Sequence, residues 1–313
     1  MKYIKKFKDL NKNSVDIAGG KGASLGEMIN SNISVPDGFV ILSPTFDRFI
    51  EETDIGTEIS SELSKVNKGD VNSVDNASGV IQSLILNKEV SPDITDEILR
   101  QFKSQKLELV AVRSSATAED SSTASWAGEL ESCLNIAEDS LIESIKKCWA
   151  SLFTPRAIFY RIEQGLSKKK VSVAVVVQKL VKSEVSGVTF TVHPVTQDKN
   201  QMIIEAGYGL GEAIVGGLIT PDAYVIDKKE MKILDINISA QEKEIIRNKY
   251  KGTKEVKITG NRKEKQKLTD KQIVKLAKVC KEIEKNYKFP CDIEWALEKG
   301  KFYIVQSRPI TTL

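Results

Sequence analysis

Residues 291–312 read CDIEWALEKGKFYIVQSRPITT, two β-rich runs joined by the charged, glycine-containing turn EKGK. In extended chain, successive side chains point to opposite faces. Asp292, Glu294 and Ala296 therefore share one face, and Ile293, Trp295 and Leu297 share the other. Two carboxylates stand together against an apolar stripe, and on the return strand Gln306 and Arg308 share a face. Register decides whether the two pairs meet. A three-residue turn at 299–301 sets Glu294 opposite Gln306 and Asp292 opposite Arg308; a two-residue turn at 299–300 separates the pairs onto opposite faces. If they meet, the hairpin is an oxygen-ligand site for Mg2+ beside an arginine able to hold phosphate. If they do not, it is a hairpin with a polar solvent face.

Upstream of this hairpin the chain reads as short β-branched runs from LELVAVRSS (107–115) onward: VSVAVVVQKLV, SGVTFTV, QMIIEAG, DAYVID, MKILDI and KEVKIT. Helices are expected at about 138–152, 154–164 and 269–287, the last entered through the capping sequence TDKQ. Residues 44 to about 104 read as mostly helical, with Pro44 and Pro92 as starts and NKGD as a break. The pattern predicts an α+β architecture in two lobes, 1–180 and 181–313.

The totals exclude several classes. The 313 residues carry 46 Lys+Arg against 43 Asp+Glu, a net charge of +3 with the signs interleaved, so no nucleic-acid partner is expected. Cys133, Cys148, Cys280 and Cys291 form no CxxC pair, and with a single histidine they make no zinc site; they read as reduced thiols. The first residues lack an apolar core, and no apolar run reaches ~18 residues, so neither export nor a membrane partner is expected and the cytoplasm is the assigned compartment.

Three further stretches bear on chemistry. GGKGASLGEM (19–28) reads as a glycine turn running into a helix, with amides and Lys21 available to an anion; it lacks the spacing of a Walker A loop. In AVRSSATAEDSSTASWAGELES (111–132) a strand ends in Arg113 and a long Ser/Thr/Ala/Gly-rich stretch follows, readable as a lid with hydroxyls and amides near Gly128 or as a surface loop. EAGYGLGEAIVGG (205–217) fails the dinucleotide fingerprint and points to close backbone packing or a second substrate-facing loop. His193, the only histidine, lies in TFTVHPVTQD at a strand-to-proline turn, and a hydrogen-bonding turn role suits it better than catalysis.

Taken in order, GGKGASLGEM, AVRSSATAED with SWAGELES, VVVQKLV with SGVTFTVHPVT, and DIEWAL with VQSRPIT resemble the ATP-binding domain of the phosphoenolpyruvate synthase, pyruvate phosphate dikinase and rifampin phosphotransferase family, from about residue 10 to residue 312. The resemblance implies an ATP-grasp-like fold, two lobes clamping a nucleotide, with ATP and Mg2+ bound. It places Lys21 and Arg113 on the phosphates, Gly128 and Ser132 on a lid above them, and Gln178, Lys179 and Leu180 at the hinge that meets adenine. Glu294 and Gln306 become Mg2+ ligands, Asp292 supports the metal and Arg308 binds phosphate, with Lys21, Arg113 and Arg308 as catalytic charges. The family thus favours the register in which the hairpin pairs meet. Two departures are visible. The lid reads SWAGELES where relatives commonly read SFAGQ-x-ET, which adds the negative charge of Glu129, and His193 stands where relatives usually carry Asn.

The activity implied is transfer of the β-phosphoryl of ATP to a histidine on a swivelling domain, leaving AMP. No such domain is read in these 313 residues, so the expected partner is a histidine-bearing domain on a separate protein or in a longer enzyme. Alternatives are a nucleotide-binding regulatory module without transfer chemistry, the ATP-binding part of a rifampin phosphotransferase, and an ATP-grasp ligase that would release ADP.

Overall fold

The computed structural model describes residues 3–117, 130–166, 171–249 and 251–310. The helix-rich and β-rich regions form two units, Met1–Gly26 with Asp37–Leu180, and Glu27–Pro36 with Val181–Leu313.

The first unit follows the chain as β1 (Ile4–Lys6), α1 (Val15–Asn30, whose last turn belongs to the second unit), β2 (Gly38–Ile41), α2 (Ser43–Glu52), α3 (Gly56–Ser64), α4 (Val71–Asn87), α5 (Pro92–Ser104), β3 (Val110–Ala116), β4 (Ser132–Ile136), α6 (Leu141–Ala150), α7 (Pro155–Glu163) and β5 (Val173–Lys179). Pro44 and Pro92 sit in the first turns of α2 and α5, where a missing N–H costs nothing. Asp70 and Thr154 cap α4 and α7 through their side chains. The strands make one antiparallel sheet in the order β1-β2-β5-β3-β4. Alternation then sorts the residues. Phe39, Ile41, Val110, Val112, Val175 and Val177 join one apolar core with Phe46, Phe49 and Trp149 from the helices. Val40, Arg113, Ser115, Val176 and Gln178 alternate onto the other face.

The second unit contains β6 (Val185–Phe190), β7 (Gln201–Tyr208), α8 (Glu212–Val215), β8 (Asp222–Asp227), β9 (Lys232–Asn237), β10 (Lys243–Arg247), β11 (Thr253–Lys257), α9 (Asp270–Tyr287), β12 (Cys291–Glu298) and β13 (Lys301–Pro309). Six strands form an antiparallel sheet in the order β13-β12-β6-β7-β8-β9, and β10 and β11 form a separate ribbon. Helix α9 starts at the TDKQ capping box, with Gln272 N–H donating to Thr269 Oγ1 at 3.4 Å and Thr269 N–H to Gln272 Oε1 at 2.8 Å. It buries Ile273, Leu276, Ala277, Cys280 and Ile283, the stripe expected of a 3.6-residue period, and packs against β7, β8, β9 and β12. Residues 27–36 belong with this sheet, and Ile304 N–H donates to Ser34 O at 2.8 Å.

The α+β expectation holds, and all pairings between named strands are antiparallel. Two details differ from the sequence reading. A helical turn precedes the glycines, so α1 begins at Val15 and breaks at Gly19. Strand β10 is additional, and KEVKIT supplies its ribbon partner rather than a strand of the main sheet.

Candidate functional site

In the first unit the glycine turn is fastened to β3. Gly19 adopts φ 66°, and a Cβ there would fall 2.3 Å from both Ser115 O and Ser115 Oγ, so only glycine fits. Ser115 Oγ donates to Ala18 O at 2.9 Å and accepts from Gly22 N–H at 3.3 Å. Ser115 and Arg113 are two apart on β3 and share a face, so this stitch lays the start of α1, with Lys21, on the sheet face that carries Arg113. Lys21 and Arg113 are both half-buried. Exposed Ser132 is Arg113's cross-strand partner on β4. Gln178 lies on the same face two positions along from Val176, which pairs with Arg113; its side chain is buried and Nε2 has no hydrogen-bond partner. The N–H groups of Lys179 and Leu180 are already donated, to Asp37 O at 2.7 Å and Leu109 O at 2.9 Å. Gly128, expected on the lid, lies outside the described residues, as does Glu129.

In the second unit the hairpin answers the register question unexpectedly. The turn has two residues, Lys299 and Gly300, both at positive φ as a type I′ turn requires, and Glu298 pairs with Lys301. A regular ladder from that turn would separate the polar pairs. Instead a β-bulge intervenes: Trp295 pairs with Ile304 but Glu294 pairs with Gln306, Val305 being the extra residue. Asp292 consequently pairs with Arg308. The expectation that a two-residue turn keeps the pairs apart is corrected, because the bulge restores the register the turn had lost.

Arg308 donates from Nε at 2.8 Å and Nη2 at 2.7 Å, both to Asp292 Oδ2. Asp292 Oδ1 is buried without a hydrogen-bond partner. Burial pushes the Asp292 carboxyl above the ordinary carboxylate range; Arg308 opposes this and the charge of Glu294 adds to it. The row containing Glu294 and Gln306 continues through Val188 on β6 to Glu205 on β7. Glu205 was missed in the sequence. Its carboxyl is raised by burial and then by the charge of Asp292, and the signal was an acid alone inside the apolar run MIIEAG. Among the described residues no group of three or more His, Cys, Asp or Glu side chains is arranged to hold a metal.

His193 accepts at Nδ1 from Val195 N–H at 3.3 Å and Thr196 N–H at 3.2 Å. Those are bonds that an Asn side-chain oxygen makes in such a turn. The glycines after β7 serve backbone packing, with Gly209 N–H on Glu184 O at 3.2 Å and Leu210 N–H on Ile245 O at 2.8 Å.

Comparison with known proteins places these features in company. The family model described as "Pyruvate phosphate dikinase, AMP/ATP-binding domain" matches residues 15–313. A probable phosphoenolpyruvate synthase of Archaeoglobus fulgidus is 47% identical over 311 residues, covering 97% of this chain and 41% of its own length. One from Methanocaldococcus jannaschii is 44% identical over 320 residues, covering 100% of this chain and 27% of its own. Rifampicin phosphotransferase of Bacillus subtilis is 38% identical over 310 residues, covering 97% and 35%. The chain spans less than half the length of each of these relatives.

Proposed function

Because the chain belongs to the pyruvate phosphate dikinase AMP/ATP-binding domain family, we propose that it binds ATP with Mg2+ and passes the β-phosphoryl group, with the γ-phosphate still attached, to a histidine on another domain or a partner protein, leaving AMP; the γ-phosphate is then released to water or inorganic phosphate. The observation that carries this reading is the bulged hairpin. It sets Glu294 against Gln306 and Asp292 against Arg308.

The residues present fit a divalent cation. Two carboxylates and an amide oxygen occupy neighbouring cross-strand pairs, and Asp292 offers a buried oxygen with no partner. Glu294 and Gln306 would hold the ion and Asp292 would support it. When bound, Mg2+ neutralises charge on the phosphate oxygens. Lys21 and Arg113 hold phosphates on the face of the first sheet, and Arg308 offers its positive charge to phosphate in the second unit. As the bond between the β-phosphorus and its oxygen to the α-phosphate breaks, Lys21 and Arg113 offset the charge growing on that oxygen. The N–H groups of Lys179 and Leu180 are engaged, so adenine contacts at the hinge fall to carbonyl oxygens and to Gln178 Nε2, a buried donor in need of an acceptor. Ser132, beside Arg113, and Gly128 belong to the lid in this reading.

The final acceptor is served by domains outside these residues. Pyruvate is one reading; the similarity to a rifampicin phosphotransferase supports the other, in which the chain is the ATP-binding part of an antibiotic-modifying enzyme. Among the described residues no helix is long and apolar enough to cross a membrane, and the reading assigns the chain to the cytoplasm. The test is product analysis with Mg-ATP, with and without a histidine-bearing domain. Partner-dependent AMP is expected; rapid AMP formation without a partner, or ADP as the product, would reject the reading.

A further inference from the structure

One pair of groups in the first unit is unused by this chemistry. Cys133 on β4 pairs with Val112 of β3 and faces the helical core. Cys148, on α6, brings its Sγ to 3.5 Å from Val112 O and 3.9 Å from Glu131 O. Both thiols thus lie at Val112 of β3, Cys133 beside it across the ladder and Cys148 against its carbonyl. Cys133 is half-buried and Cys148 is fully buried. Lys147, paired with Glu143 at 3.0 Å, feels the charges of Cys133 and Glu131.

We propose that Cys133 and Cys148 form a modification site, a vicinal thiol pair that a hydroperoxide closes to a disulfide, tethering β4 to α6 and weakening nucleotide binding. The Cys133 thiolate attacks a peroxide oxygen, the O–O bond breaks, and the released hydroxide takes a proton to leave as water, with a sulfenic acid on Cys133. The Cys148 sulfur then attacks the Cys133 sulfur. The S–S bond forms, the S–O bond breaks, and the departing hydroxide leaves as a second water with the Cys148 proton. The thiols lose two protons and two electrons, and the peroxide gains them. Burial and the neighbouring Cys133 hold the Cys148 thiol well above its usual range, so the second step is the slow one.

The effect on the nucleotide rests on the function proposed above. A disulfide draws the sulfurs to about 2.05 Å and removes the S–H donor from Val112 O and Glu131 O. Glu131 O keeps Ser114 N–H at 3.1 Å and Ser114 Oγ at 3.1 Å. The strain therefore falls on the next residues, Ser132 and Cys133, and Ser132 is Arg113's cross-strand partner. Cys280 and Cys291 provide an internal control: both are buried, and burial pushes each thiol up to about 12.

The full chain is treated with limiting hydrogen peroxide, its remaining thiols are alkylated after unfolding, and its peptides are mapped by mass. The expected result is a Cys133–Cys148 linkage with loss of two hydrogens, reversed by dithiothreitol, with Cys280 and Cys291 alkylated. The Mg-ATP-dependent rise in Tm should shrink on oxidation and return on reduction. Cys148→Ser and Cys133→Ser should each abolish the linkage and the redox effect on Tm. Oxidation of Cys133 without linkage, or linkage without a change in the ATP-dependent Tm shift, overturns the proposal. If reduced protein shows no ATP-dependent shift, the nucleotide reading fails, and the peptide map still decides the disulfide.

Discussion

Glu294 faces Gln306 across the β12–β13 ladder although the hairpin reverses in only two residues, because Val305 is taken out of the pairing as a bulge. Bulges beside functional sites re-aim side chains, and here one moves Gln306 and Arg308 onto the face of Glu294 and Asp292. Two polar pairs meet that turn geometry alone would have divided.

Glu294→Ala and Lys21→Ala each remove one proposed contact with the metal-nucleotide complex from a half-buried position. A ligand at a hundred times its Kd adds about 2.7 kcal/mol of stability. That gain, read as a Mg-ATP-dependent rise in Tm, should disappear in both variants while Tm without nucleotide changes little. Unchanged ATP binding in both would reject the site.

Gly19→Ala should strain the glycine turn at the start of α1. Its φ of 66° and the 2.3 Å approach of a Cβ to Ser115 force the Ala18–Ser115–Gly22 stitch apart. A cost of about 1–3 kcal/mol is expected in urea unfolding, together with a reduced ATP-dependent Tm shift. Wild-type values for both would contradict the placement of Lys21 by this stitch.

Lys267 and Asp222 form an ion pair at 2.7 Å with both side chains fully buried. Tyr224 OH and Ser239 N–H also donate to Asp222, at 2.8 and 3.0 Å. Lys267→Met leaves the carboxylate buried without its cation, and a loss of about 3–5 kcal/mol is expected. A loss too small to measure in denaturant titration would show that water reaches the pair.

Asp292 and Glu205 are both raised by burial, Asp292 further by Glu294 and Glu205 further by Asp292. A carboxyl raised in the folded state binds protons more tightly there than in the unfolded chain. Its contribution is present below the unfolded pKa, about 4, and is lost as pH rises through the folded value. Metal-free protein should therefore lose this contribution towards neutral pH, where Mg2+ takes the place of the protons. The Mg-ATP-dependent rise in Tm should grow as pH rises from about 4 towards neutrality, and a rise independent of pH would contradict this. Glu205→Gln should flatten part of the dependence.

Much of the fold was legible because local signals agreed with it: prolines opening α2 and α5, the TDKQ box opening α9, and β-branched runs on the main strands. The bulge was not, since Ile304 and Val305 are both apolar and β-branched and alternation does not reveal which of two such neighbours leaves the ladder. Strand β10, KEIIR, is short and charged, and its ladder is made with β11. Of the site, the residue types were readable in themselves, whereas their meeting followed only from the family resemblance, because cross-strand opposition is a property of register. Glu205 escaped because an acid within MIIEAG acquires its significance only three strands from β13, in the row of Glu294.

The most direct test uses ATP labelled at the β-phosphorus, Mg2+ and a histidine-bearing domain from a relative. The account predicts label on that domain in an acid-labile bond, with AMP formed in step, and no transfer by Glu294→Ala. Label remaining entirely in ADP, or AMP released at the same rate without the histidine, would contradict it.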